Sequence, residues 1–155
     1  MPNWTTVFIS MEGIEKESEL FYKNEDGELC FDFNSLIPEP KTYEEYVAGG
    51  GDKLDTPEEA HCQIDEDRPW FNWYDWHIEN WGTKWNACHC EVCYDCVHFE
   101  TAWSYPEPII KALSEKYPDR EIDVSYDYEG YNETYNETWL NGDRTFEEIY
   151  GCKRD

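Results

Sequence analysis

The clearest strand in this chain lies at residues 121–129, where the sequence reads Glu121-Ile122-Asp123-Val124-Ser125-Tyr126-Asp127-Tyr128-Glu129. Apolar and polar side chains alternate along it, which is typical of a β-strand with one buried and one solvated face. The apolar members expected in the core are Ile122, Val124, Tyr126 and Tyr128. The stretch therefore predicts a half-buried strand that carries a row of carboxylates on its outer face.

Further strands are predicted on both sides of this one from β-branched, aromatic or alternating stretches. They cover residues 4–9, 29–33 and 133–140, the last as a return partner for the strand at 121–129. A β-hairpin is predicted over residues 84–103, with a cluster of cysteines near its tip.

Helix starts are indicated by residues that cap free backbone N–H groups. Thr42-Tyr43-Glu44-Glu45 is a capping box, and Gly49-Gly50-Gly51 ends that short helix. Thr56-Pro57-Glu58-Glu59 repeats the pattern with proline in the first helical position. Further helices are predicted over residues 70–81, which we expect to be largely wrapped by protein, and over 106–118 and 145–151.

The segment Asn80-Trp81-Gly82-Thr83-Lys84-Trp85 has two interpretations. Exposed aromatic and amide side chains in a loop would suit a recognition site. The favoured interpretation is structural, with Gly82 ending the helix before it and the tryptophans buried against the sheet.

The charge balance of the chain is extreme. It has 36 Asp and Glu against 12 Lys and Arg, a formal net charge of −24 in 155 residues. The 8 Trp, 12 Tyr and 7 Phe give enough apolar surface for a core, unlike disordered acidic segments. This field disfavours direct binding to nucleic acids and anionic membranes and favours basic proteins as partners. An acidic surface that serves only solubility or life in high salt is the alternative.

The carboxylates of the strand at 121–129 form the first candidate site. Successive residues on one strand face lie about 6.6–6.8 Å apart, close to the spacing of consecutive phosphates along a DNA strand. The predicted row consists of Glu121, Asp123, Asp127 and Glu129. Residues predicted to extend it are Glu115, Asp119, Glu133, Glu137, Asp143, Glu147 and Glu148. Such an array fits the basic channel of a nucleic-acid-binding complex, and a solvated sheet face is the alternative.

The second candidate site is the run Cys88-His89-Cys90-Glu91-Val92-Cys93-Tyr94-Asp95-Cys96-Val97-His98. Zinc prefers tetrahedral thiolate and imidazole ligands, and gaps of two residues allow a tight turn to aim thiolates at one point. The candidate ligands are Cys88, Cys90, Cys93 and Cys96. Free thiols on a hairpin are the alternative, because the run is contiguous whereas structural zinc sites usually join two separated pairs.

No motif of catalysis or membrane insertion is found. The four histidines belong to no recognisable triad, and the chain has no glycine-rich phosphate loop and no nucleophile elbow. No stretch approaches the roughly 18 apolar residues that span a membrane. We therefore expect a cytoplasmic protein that is not an enzyme.

Several segments resemble the YubB family, a family of ferredoxin-like domain proteins found on plasmids and phages. The matching pieces are residues 1–4, 31–38, 74–87, 99–104 and 109–113, and 74–87 is the most specific of them. His77 departs from the family pattern, which usually has cysteine there. The resemblance implies an α+β ferredoxin-like sandwich, with an antiparallel sheet and helices packed on one face, and a mobile-element source.

Together these observations predict one ferredoxin-like domain over residues 1–155, with a helical insertion around 41–82. The predicted function is that of an acidic DNA mimic from a phage or plasmid, which binds a basic nucleic-acid-binding surface of a host defence complex, as anti-CRISPR and anti-restriction inhibitors do. The alternative is a small metal-binding accessory domain that docks a partner through the hairpin at residues 88–98.

Overall fold

The computed structural model describes residues 3–51, 53 and 66–151. The strands in these ranges are β1 (Trp4–Ser10), β2 (Phe21–Lys23), β3 (Leu29–Phe31), β4 (Cys88–Cys93), β5 (Cys96–Ala102), β6 (Ile122–Tyr128), β7 (Glu133–Leu140) and β8 (Asp143–Gly151). The α-helices in these ranges are α1 (Tyr43–Ala48), α2 (Trp73–Asn80) and α3 (Glu107–Lys116).

Six strands form one sheet in the order β4-β5-β1-β6-β7-β8, and β2 and β3 form a separate ribbon. Every neighbouring pair in the large sheet is antiparallel. Since β5 and β6 both run antiparallel to β1 between them, they run parallel to each other, with α3 as the connection. This split β-α-β unit is the element on which ferredoxin-like folds are built.

One face of the sheet, called the covered face below, carries the core. Ile122, Val124 and Tyr126 of β6 are at most 6% exposed, as the alternation of this strand predicts. Ile109, Ile110 and Leu113 of α3 pack in the same core cluster. Phe31 stacks on Phe99 of β5 at a centroid distance of 5.4 Å, and Phe33 packs edge-to-face on the same ring at 5.8 Å. The helix and the aromatic ribbon thus lie on the same side of the sheet.

The predicted start and end of α1 are confirmed. The Thr42 hydroxyl accepts a hydrogen bond from the backbone N–H of Glu45, at 3.1 Å, and the Glu45 carboxylate accepts one from the backbone N–H of Lys41, at 2.8 Å. Gly49 follows the last helical residue. The second capping motif, at residues 56–59, lies outside the described residues.

The helix predicted over residues 70–81 is shorter and more exposed than expected. Asn72 caps its N-terminus through a hydrogen bond from the Asp75 backbone N–H at 3.3 Å, so α2 begins at Trp73. Within α2 only His77 is buried, whereas Tyr74 and Ile78 are about 40% exposed. The expectation that protein wraps this helix is wrong, because Tyr74, Ile78 and Glu79 are exposed to solvent.

The helix predicted over residues 145–151 is also wrong, because these residues belong to strand β8. Leu140 pairs with Asp143 across a two-residue turn, Asn141-Gly142, in which both residues have positive φ values of 53° and 81°. Such a turn matches the twist of antiparallel strands. Pairing then continues to Gly151 opposite Glu133, so the cross-strand hydrogen bonds replace those of a helix.

The hairpin of β4 and β5 and the return strand β7 are confirmed. The strand predicted over residues 29–33 ends at Phe31, because Asp32 caps a short 3-10 turn over Phe33–Ser35. Helices α1 and α2 lie in the range predicted as a helical insertion, residues 41–82, and its status as an insertion stays a prediction.

Candidate functional site

The face of the large sheet opposite the core, called the open face below, has no helix of the described residues packed on it. The strand registers place on it Trp4, Thr6, Phe8 and Ser10 of β1, Cys96, His98 and Glu100 of β5, Asp123, Ser125 and Asp127 of β6, Thr134, Asn136 and Thr138 of β7, and Phe146, Glu148 and Tyr150 of β8. None of these strand residues is lysine or arginine. The open face therefore combines carboxylates, hydroxyls and aromatic rings, and none of these strand residues adds the positive charge of a lysine or an arginine.

The predicted carboxylate row lies on this face but is interrupted. Asp123 and Asp127 are four residues apart on β6, about 13–14 Å along the strand, and Ser125 occupies the position between them. Asp123 Oδ1 accepts a hydrogen bond from the Thr138 hydroxyl at 2.8 Å. Glu129, just beyond the strand, accepts one from the backbone N–H of Trp4 at 2.8 Å. Ordered acceptor oxygens therefore line β6 in place of a continuous row of free charges.

A hollow of about 310 Å³ lies on the open face between β1 and β8. Phe8, Phe146 and Tyr150 border it with 41%, 51% and 53% of their surface exposed. The carboxylates of Asp123 and Glu148 also line it, and the Tyr150 hydroxyl donates to Glu148 at 2.6 Å. Large exposed rings beside carboxylates mark a surface suited to binding a partner.

Two histidines on the β4–β5 side are each bound to a carboxylate. His98 Nε2 lies 2.7 Å from a Glu91 oxygen, and His89 Nδ1 lies 2.5 Å from a Glu100 oxygen. The His98 ring also contacts Phe8 at a centroid distance of 4.9 Å. These carboxylates hold the two rings in place on the surface of the sheet.

The structure separates the residues predicted to extend the row. Glu115 lies on α3, in the helix layer, and is paired with Lys111 at 2.8 Å. Asp119 is exposed in the connection that leads into β6, and so is Glu121 of the predicted row. Glu133 begins β7 and accepts a hydrogen bond from the Tyr135 hydroxyl at 3.0 Å. Asp143 begins β8 opposite Leu140, and Glu148 joins Asp123 and Asp127 on the open face.

Glu137 and Glu147 correct the prediction, because both lie on the covered side. Glu137 pairs with Val124 and with Glu147 in the strand registers, and it is 2% exposed. Its carboxylate accepts hydrogen bonds from the Tyr105 hydroxyl at 2.7 Å, the Trp139 Nε1 at 2.9 Å and the Arg144 guanidinium at 3.1 Å. The alternation of Tyr135, Glu137 and Trp139 along β7 was the sequence signal for this placement.

This buried cluster is a structural anchor. Burial, followed by the neighbouring Glu137 carboxylate, raises the pKa of the Tyr105 phenol far above its ordinary value. The phenol therefore stays protonated and remains a donor to Glu137 at physiological pH. The Tyr105 ring stacks on Tyr126 at 3.8 Å, which ties the segment before α3 to the centre of the sheet.

The four cysteines proposed as metal ligands are not brought to one point. Cys93 and Cys96 form a disulfide at the hairpin tip, whereas Cys88 and Cys90 are free. Burial raises the pKa of both thiols, that of Cys90 to about 12, with nearby Cys30 adding to each shift. Among the described residues, no group of three or more His, Cys, Asp or Glu side chains has the geometry to hold a metal ion.

The favoured, structural interpretation of the segment at residues 80–85 holds for Trp81 and Gly82, whereas Trp85 is half-buried. Trp81 is 1% exposed, and its ring N–H donates to the Ile37 carbonyl at 2.8 Å. Gly82 has a φ of 79°, and a Cβ there would lie 2.9 Å from Pro108.

His77, on the helix before this loop, stacks on Trp81 at 4.1 Å. It donates from Nδ1 to the Lys84 carbonyl at 2.6 Å and from Nε2 to the Glu39 carboxylate.

Comparison with known proteins bears on the fold. Residues 80–150 match the family model described as the ferredoxin-like domain in Api92-like protein. The match confirms the α+β, ferredoxin-like prediction. The crystal structure of a protein Api92 from Yersinia pseudotuberculosis aligns with 18% identity and a TM-score of 0.41, over 55% of this chain and 32% of that chain. A search of curated proteins finds no match. No helix in the described residues has the length and apolar character required to cross a bilayer.

Proposed function

We propose that this protein is a non-enzymatic DNA mimic that binds the basic nucleic-acid-binding surface of a host defence complex. The observation that carries the proposal is the open face, which presents Asp123, Asp127 and Glu148 around exposed aromatic rings and offers no lysine or arginine on its strands. As part of the same proposal, we assign the protein to the YubB-type proteins of phages and plasmids. A mobile element benefits from blocking a host defence protein.

The electrostatics favour such a partner. A net charge of −24 attracts a basic surface over long range and speeds association at low salt. The distance of about 13–14 Å between Asp123 and Asp127 is about twice the spacing of roughly 6.6–6.8 Å between neighbouring positions on one strand face, so it corresponds to about two steps between consecutive phosphates of a DNA strand. Arginine and lysine residues that normally bind phosphates can pair with these carboxylates instead.

The aromatic rings of the open face add stacking contacts to the electrostatic attraction. Guanidinium groups stack on aromatic faces while they pair with carboxylates. Phe146 and Tyr150, next to Glu148, offer both kinds of contact in one hollow. Inhibition follows from occupation of the nucleic-acid site, so the proposed mechanism requires no covalent step and no catalytic residue in this chain.

The test is a pull-down from a bacterial lysate with the full chain at about 50 mM and about 500 mM NaCl, two sides of the range in which surface charges become screened. We expect captured proteins that also bind DNA-cellulose, and their loss at high salt. The triple variant Asp123→Lys, Asp127→Lys, Glu148→Lys is expected to lose them.

The matched control is Glu25→Lys, Asp26→Lys, Glu44→Lys, which changes the net charge equally at exposed positions away from the open face. Retention of the partners by the first triple variant, or equal loss in both, would place the interface elsewhere. The variant Cys90→Ser, Cys93→Ser separates the alternative function, since a metal-binding accessory hairpin would lose its partner and a DNA mimic would keep it.

A further inference from the structure

A second hollow, of about 290 Å³, lies where the first residues of β1 meet the ends of β5 and β6. Its lining includes the aromatic residues Trp4, Trp103, Tyr128, Tyr131 and Tyr135 and the carboxylate of Glu129. These six residues are called the aromatic pocket below. They are brought together from four separate parts of the chain, so no local motif in the sequence reveals them.

The tyrosines of the aromatic pocket are inclined to one another. Tyr128 lies 5.9 Å from Tyr131 at an interplanar angle of 56°, and 5.6 Å from Tyr135 at 79°. Edge-to-face rings also occur in the core, and Tyr135 stacks on Tyr126 at 5.0 Å, so Tyr128 and Tyr135 border the hollow while they pack on the core. Tyr131 is 67% exposed, so it adds little to the core of this fold.

Trp103 has an unfavourable backbone conformation, although its side chain remains largely exposed. Its φ is 74°, in the left-handed region that bulky residues avoid, and it remains 53% exposed. A hydrogen bond from its backbone N–H to the Asn3 carbonyl, at 2.9 Å, fixes the backbone in that conformation. Strain of this kind costs on the order of 1–3 kcal/mol and is concentrated at binding and catalytic sites.

The charge in and around the aromatic pocket is negative. Glu129 lines it, and Glu133 accepts a hydrogen bond from the Tyr135 hydroxyl at its edge. None of its lining residues is lysine or arginine. The faces of aromatic rings attract cations through their quadrupole, and a carboxylate at the same hollow adds a Coulombic attraction.

We propose that the aromatic pocket binds a trimethylammonium group. A quaternary ammonium has no N–H to satisfy, which suits walls made of ring faces better than it suits the hydrogen-bonding head of lysine or arginine. A volume of about 290 Å³, at the lower end of the range for small-molecule sites, accommodates a small head group. The group belongs either to a free small molecule or to a trimethylated lysine side chain. This site is distinct from the open-face hollow and does not depend on the DNA-mimic proposal.

The test is a calorimetric titration of the full chain with choline, with a trimethyllysine peptide and with 3,3-dimethyl-1-butanol, the neutral carbon isostere of choline. Ionic strength is held constant with NaCl, so that the general attraction of cations to an acidic protein is screened to the same extent in every titration. We expect choline to bind at least about tenfold more tightly than its isostere. The tighter of the two cationic ligands identifies the source of the group.

The decisive variant is Trp103→Gly, because glycine adopts positive φ freely and the fold is retained. Tyr131→Ala is the second variant, at an exposed position. Both are expected to weaken choline binding about tenfold. Phe146→Ala, which removes an equally exposed ring from the open face, is the control and is expected to leave binding unchanged. Equal binding of choline and its isostere, full binding by Trp103→Gly, or no binding by either cationic ligand would overturn the proposal.

Discussion

The covered and open faces of the sheet use the same residue type in opposite ways. On the covered face, Glu137 is 2% exposed, and hydroxyl, indole and guanidinium donors surround its carboxylate. On the open face, one strand away, Asp123 is exposed and shares one hydrogen bond with Thr138. A buried carboxylate stabilises the fold only through its partners, whereas an exposed one remains available to a partner molecule.

Aromatic residues show the same division. Tyr105, Tyr126 and Tyr135 stack in sequence on the covered face at 3.8 and 5.0 Å. Phe8, Phe146 and Tyr150 on the open face remain 41–53% exposed. The contribution of a residue type to stability or to recognition thus follows from the face it occupies.

Among the variants that test this difference between the two faces, Glu137→Ala should have the largest effect on stability. The change leaves the Tyr105 hydroxyl and the Trp139 N–H without a buried acceptor and Arg144 without one partner, so we expect a loss of about 3 kcal/mol or more in the free energy of unfolding. Urea denaturation measures it. The control is Glu147→Ala, at the exposed neighbour across β7 and β8, with an expected change below about 0.5 kcal/mol. Equal effects of the two changes would contradict the assignment of Glu137 as an anchor.

A smaller, pH-dependent loss is expected for Glu39→Gln. Burial raises the pKa of the Glu39 carboxyl, but the hydrogen bond and charge of His77 and the charge of Arg68 outweigh it and hold the pKa below its ordinary value. A lowered pKa in the folded state gives stability that is present above the unfolded pKa of about 4.3 and is lost as the pH falls through the folded pKa.

The variant should therefore be about 1.5 kcal/mol less stable at pH 7, the value of a hydrogen bond to a charged group. The difference should vanish once the pH has fallen below the folded pKa of Glu39. Urea denaturation across the acid range measures both values, and a difference that stays constant with pH would show that Glu39 acts only through packing.

The effect of salt on stability should show how much the open-face carboxylates contribute to charge repulsion. Self-repulsion at a net charge of −24 destabilises the compact state, so added NaCl is expected to raise the urea midpoint. The increase should be smaller in the variant Asp123→Asn, Asp127→Asn, Glu148→Gln than in the parent chain. An unchanged increase would mean that the open face contributes little to the repulsion.

The smallest effect is expected for Asp127→Asn alone. This side chain lies on the open face, so the free energy of unfolding should change by less than about 0.5 kcal/mol. Thermal and urea denaturation measure it. A loss as large as that of Glu137→Ala would show that the open face also carries the stability of the sheet.

Much of the fold could be predicted because its signals are local. The alternation of residues 121–129, the capping box at Thr42 and the hairpin around the cysteines each lie within one stretch of chain. The helix predicted over residues 145–151 failed because an apparent capping motif competes with a turn signal just before it, Asn141-Gly142, which places β8 beside β7. Pairing along the whole of β8 outweighs the local preference for a helix.

The candidate site was predictable only in part. The alternation of β6 predicts the outward position of Asp123 and Asp127, whereas the extension of the row to Glu137 is wrong because Glu137 lies opposite the buried Val124. The contribution of Glu148 beside Phe146 and Tyr150 depends on the strand assignment of β8. The aromatic pocket depends on contacts between residues as distant as Trp4 and Tyr135.

The sequence by itself determined the charge of the molecule, the half-buried character of β6 and the start of α1, because composition, alternation and capping depend on neighbours along the chain. Only the tertiary structure decided that residues 143–151 form an edge strand, that Glu137 is buried, that the cysteines do not converge and that five aromatic rings surround one hollow. These features depend on strand register and on which segments meet in space, and a shift of one residue moves every side chain of a strand to the other face.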